Sequence, residues 1–182
     1  MRNMLVGAIA LALFPATAAS AHDFFLMPDR FLASDEGGVS VQATVGSTFP
    51  SAENVVPADR IDRLFAAGAG SPQVHVMAPG PKALNLHIAG ARPGLLVMGV
   101  GTKPRDVDYA EDRIPLILGE YRVRPDAAAA VNKLAKPRNW QVSSRRFAKT
   151  FICVRTCANP GVGERATGAA MEFVGRNAAF DH

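Results

Sequence analysis

Apolar and polar residues alternate over residues 38–46. Val39, Val41, Ala43 and Val45 fall on one side, with Ser40, Gln42 and Thr44 on the other. That period of two predicts a half-buried strand. Residues 23–27 predict an earlier strand closed by Pro28-Asp29, and residues 60–67 a further one. Residues 94–101 (GLLVMGVG) are apolar without interruption, as expected of a central strand covered on both faces. Residues 150–155 and 168–174 complete the set. Residues 47–58, with Pro50 and Pro57, read as loop.

Two short strands, 73–78 and 84–89, flank Pro79-Gly80-Pro81. Val74 and Val76 share one face of the first, leaving His75 and Met77 on the other. Leu84, Leu86 and Ile88 share one face of the second, leaving Asn85 and His87 on the other. A loop over 79–83 sets Val76 opposite Leu86 and Val74 opposite Ile88. Matching apolar faces fix register in a half-buried hairpin. In that register His75 meets His87 directly.

Residues 112–134 contain an alanine run, Ala127 to Ala130, and prolines at 115 and 125. The pattern predicts two short helical pieces broken at the prolines, with another helical turn at 143–147, so the helical segment extends over about 112–148. Many short strands with Gly/Pro turns and one helical part predict a mainly β fold. The expected architecture is an antiparallel β-sandwich, immunoglobulin-like, with a small helical insertion.

Length sets the domain count. The chain has 182 residues, 48% of them apolar and 20% charged, which suits one packed domain. The net charge of +4 is spread along the chain, with no long Lys/Arg block. Phosphate binding needs a basic stripe, so no nucleic-acid partner is expected.

The N-terminus changes the picture. Arg2 precedes an apolar run from Met4 to Phe14, and Ala19-Ser20-Ala21 follows. This is the pattern of a secretory signal peptide over residues 1–21, cleaved after Ala21. The run is too short to span a bilayer, and no later stretch is apolar enough to do so. The expected product is a periplasmic single domain, residues 22–182, not membrane-spanning after cleavage. Its first residue is His22. A free α-amine beside an imidazole chelates Cu, Ni, Co or Zn in preference to Mg or Ca. One candidate metal site is therefore His22, His75 and His87, with Met77 as a soft neighbour. The alternative is histidines that merely face solvent.

Cys153 and Cys157 are the two cysteines. In an oxidising compartment an even number tends to pair. In a straight strand they would stand roughly 13 Å apart, beyond the ~7 Å reach of a disulfide. A small disulfide loop thus requires a turn between them. Free buried thiols or a metal pair are the alternatives. No nucleophile elbow, P-loop or HExxH motif is present, and Trp140 is the only tryptophan. No enzymatic activity is expected, apart from the option of a copper oxidase built on an N-terminal histidine.

Several segments together resemble one family. AHDFFLMPDRF straddles the cleavage site. VGSTFP follows the alternating strand, and GLLVMGVGTKPRDVDYAEDRI combines a strand, Lys-Pro and an acidic helix start. SSRRFAKTFICV and GAAMEFVGRNAAF follow in order. In that order they resemble the exported bacterial family described as the periplasmic component of cobalt/nickel uptake systems. The resemblance covers most of residues 21–180. It implies a β-rich periplasmic fold, a nickel or cobalt ion, and a membrane metal transporter as partner. Only His22 falls in one of its motifs. Members of the family usually continue into a second β-sandwich module, where this sequence ends at His182. The expected function is transition-metal binding or delivery (nickel or cobalt, or copper). The alternative is a non-metal structural or interaction β-module of the cell envelope.

Overall fold

The computed structural model describes residues 22–34, 38–169 and 172–175. The segment 1–21, expected to be a signal peptide, lies outside the described residues. In chain order the strands begin with β1 (Asp23–Pro28), β2 (Leu32–Ala33), β3 (Val39–Gly46) and β4 (Asn54–Val55). Then come β5 (Ile61–Ala67), β6 (Gly70–Val76), β7 (Leu84–Ala91), β8 (Gly94–Thr102) and β9 (Arg105–Tyr109). Helices α1 (Ile114–Glu120) and α2 (Pro125–Asn132) precede β10 (Trp140–Ser144) and β11 (Phe147–Val154).

The expected architecture holds: the fold is mainly β, with antiparallel sheets and two helices, consistent with a β-sandwich carrying a small helical insertion. One sheet runs β1-β3-β7-β6, with β4 paired to β3 beyond the end of β7. The other runs β2-β11-β8-β5. Its β2–β11 pairing is parallel and covers only Cys153 and Val154.

Alternation builds the core. Val39, Val41, Ala43, Leu84, Leu86 and Ile88 from the first sheet meet Leu96, Met98, Val100, Ile152 and Val154 from the second. Each buried aliphatic side chain contributes about 1.5–3 kcal/mol relative to exposure. Strand β8 is buried over its whole length. Its even-numbered residues enter this core, while Leu95 and Val97 point to the other face. The Leu95 amide donates to the Ala158 carbonyl, in the chain beyond β11, at 2.8 Å.

The alternation of β3 breaks at Thr44, which is fully buried where a solvent-facing residue was expected. Its hydroxyl donates to the Lys82 carbonyl at 2.7 Å, so the burial leaves no unsatisfied group. The two expected short helical pieces form as α1 and α2, and each proline lies within the first two helical positions of its helix. A proline there loses no intrahelical bond, because the first-turn amides have no partner anyway.

Two expectations are corrected. The helical segment ends at Asn132, not near 148. Residues 140–144 pair with β9 as a two-stranded ribbon, and β11 already begins at Phe147, so no helical turn forms at 143–147. Residues 168–174 form no strand where they are described. The Glu172 carboxylate folds that segment back on itself in place of a backbone ladder. It accepts from the Thr167 hydroxyl and amide, both at 2.6 Å, and from the Gly168 amide at 3.0 Å.

Arg138 anchors the helical insertion. It is 6% exposed and forms a fork with Glu111, while its Nη1 donates to the Val131 carbonyl and the Asn132 side chain.

Candidate functional site

The β6–β7 hairpin has the register its apolar faces dictate: Val76 opposite Leu86, His75 opposite His87, Val74 opposite Ile88. The Met77 amide donates to the Asn85 carbonyl at 2.9 Å, which extends the pairing by one residue. Hydrogen-bonded pairs recur every two residues in an antiparallel ladder, so His75 and His87 form such a pair, with Cα atoms about 5.5 Å apart. Both imidazoles lie on the face away from the core. His75 is exposed because β6 is a sheet edge, and His87 is half-buried because β3 flanks it. Met77 stands at the end of the same face and is 51% exposed.

Gly38 shapes the other side of His87. Its φ is +80°, and a Cβ there would meet the Ile88 carbonyl at 2.5 Å and the His87 Nε2 at 2.6 Å. The His87 ring therefore rests over backbone that only glycine leaves open. Sharing an ion with His75 requires this ring to swing off Gly38 toward β6.

His22 is not brought to this pair. Asp23 pairs with Gly46 at one end of β3, while His87 pairs with Ser40 near the other end. The separation along β3 is roughly 20 Å at about 3.3 Å per residue. Among the described residues, no three His, Cys, Asp or Glu side chains group as metal ligands.

His22 has a different neighbour, which the sequence did not single out. Its Nε2 lies 3.4 Å from Glu53 Oε2. The other carboxylate oxygen accepts from the Ser47 amide at 3.0 Å and from the Ser47 hydroxyl. These bonds from Ser47, with the nearby His22 and Lys82, hold the Glu53 carboxyl below its ordinary range. A loop glutamate six residues after a serine carries no motif, so nothing short of the folded loop marks it.

Cys153 and Cys157 form a disulfide, with Cα atoms 4.6 Å apart. The required turn is supplied at Arg155, whose φ is +57°. The bond settles the cysteine alternatives in favour of the small loop and removes a thiolate metal pair from consideration.

A second surface feature escaped the pattern reading. Strands β1 and β11 border an open groove of about 530 Å³ lined by Phe24, Phe25, Phe31, Phe49, Phe151 and Phe173, among others. Phe31, Phe49 and Phe173 are exposed. These residues are scattered in sequence and meet only through the sandwich edge.

No protein-family model, curated protein or solved structure matches the chain.

Proposed function

We propose that this chain is an exported transition-metal-binding or delivery module, serving uptake of nickel or cobalt, or of copper, beside a membrane transporter. The observation that carries the reading is the direct opposition of His75 and His87 on an exposed sheet face. Two neutral imidazoles at that spacing suit one borderline-soft divalent ion, with Met77 as an adjacent thioether. The remaining coordination positions stay open to solvent, as a protein that passes its ion onward requires. The ordered resemblance of the N-terminal, central and late segments to the cobalt/nickel-associated family supports the same reading, as does the secretory pattern of residues 1–21.

Calorimetric titration with Ni(II), Co(II), Cu(II) and Zn(II) tests it. The intact protein should bind, and the His75→Ala/His87→Ala variant should lose the heat of one bound ion while keeping its melting temperature. Identical isotherms for the two proteins would remove the pair from the function.

A specific observation favours one other reading. The phenylalanine-lined groove is the kind of exposed apolar patch that marks interaction surfaces, and it fits a non-metal interaction module of the envelope. That reading expects no metal heat from either protein.

A further inference from the structure

We infer that His22, positioned by Glu53, forms a second metal site, separate from the hairpin histidines, which export processing completes. The inference rests on the reading of the chain as an exported metal-binding module.

A metal-ligating histidine usually donates its far ring N–H to a carboxylate, which fixes the tautomer and makes the ligating nitrogen more basic. Glu53 Oε2 stands at that far nitrogen, 3.4 Å from Nε2. With its proton on Nε2, the ring presents a lone pair at Nδ1. That nitrogen and the α-amine of the same residue close a chelate ring around one ion. The amine exists only after cleavage between Ala21 and His22; before it, the same atom is an amide nitrogen and a poor ligand. On binding, the amine gives up its proton to solvent.

The carboxylate is not incidental to the loop. Oε1 is taken by two donors from Ser47, leaving Oε2 directed to His22. The Glu53 amide donates to the Val45 carbonyl at 3.2 Å, and Asp23 pairs with Gly46. The end of β3 therefore fixes both partners from opposite sides. His22 is half-exposed, so an ion reaches the site without any movement of the core. Two nitrogen donors from one residue favour Cu(II) and Ni(II) among the divalent ions, and the unfilled positions make the ion exchangeable.

Glu53 is a positioning residue here, and the test reads its effect through the ring. The processed chain beginning at His22 is prepared in the His75→Ala/His87→Ala background and titrated with Cu(II), followed by paramagnetic resonance. The expected result is one copper per chain with nitrogen ligation. Acetylating the α-amine should abolish it; mild acylation is selective because that amine has a pKa of roughly 8 against about 10.4 for lysine. Glu53→Gln should weaken binding about 10-fold or more. It should also release the metal-free His22 ring from a single Nε2–H tautomer, read from its nitrogen chemical shifts. Equal copper binding by the acetylated chain overturns the inference. So does a processed wild-type chain whose copper vanishes entirely with the hairpin histidines, although the hairpin function then stands. If no form binds metal, both proposals fall.

Discussion

Lys149 Nζ lies 3.2 Å from Glu172 Oε2, and each side chain is only 9% exposed. The lysine ammonium also donates to the Phe173 carbonyl at 3.0 Å, and it sits over the Phe151 ring. One buried cation thus ties the irregular segment after Gly168 to the outer face of β11. Arg63 adds bonds to the Thr167 and Gly168 carbonyls from β5.

Removing Lys149 leaves the Glu172 carboxylate without its counter-ion. Lys149→Ala should therefore cost on the order of 3 kcal/mol, measured by urea unfolding. A single variant as stable as the wild type would show that the segment contributes nothing to the outer face.

The same carboxyl sets an acid limit. The Thr167 hydroxyl, assisted by Lys149 and the Thr167 and Gly168 amides, holds Glu172 down to about 2 from an ordinary 4.5. The folded state thus binds the proton less readily than the unfolded state. The stabilisation is complete above about pH 4.5 and is lost as pH falls toward 2. Melting temperature followed from pH 6 to 2 should drop more steeply for the wild type than for Glu172→Gln. Parallel curves would contradict this assignment.

Arg138 predicts a local effect. Arg138→Lys keeps the charge but loses the fork to Glu111 and the reach to Val131 and Asn132. Limited proteolysis should then cut first between α1 and β10, within residues 120–137, while the sandwich stays intact. An unchanged cleavage pattern would mean the insertion is held by other contacts.

Gly38→Ala should destabilise the protein by about 1–3 kcal/mol, the usual cost of a side chain forced into a left-handed backbone. The new methyl group collides with the Ile88 carbonyl and with His87 Nε2. The His87 imidazole resonances should shift with it. Unmoved resonances would show that the ring does not rest on Gly38.

Much of this was legible wherever a pattern has a period. The opposition of His75 to His87 follows from matching the apolar faces of two adjacent segments, because a one-residue slip would expose every valine and leucine involved. The uninterrupted run 94–101 announced β8 for a similar reason: both of its faces are covered. The β9–β10 ribbon was not legible. Val107 and Tyr109 alternate with acids and face Val142 and Trp140, but each stripe holds only two half-buried apolar residues, too few for period alone to mark a strand. Gly168 to Val174 misled because it is apolar apart from Glu172, whereas in the fold the Gly168 amide is taken by that carboxylate rather than by a neighbouring strand. The position of His22 depends on strand order, and Glu53 reaches it through a loop. Neither relationship has a local signal in the chain.

The most direct test of the metal reading follows the imidazole nitrogen signals of His75 and His87 while Ni(II) or Zn(II) is added below one equivalent. Both rings should respond together, at the same ratio of ion to protein. If both signals stay unmoved with the ion in excess, this face of the hairpin is not a metal site.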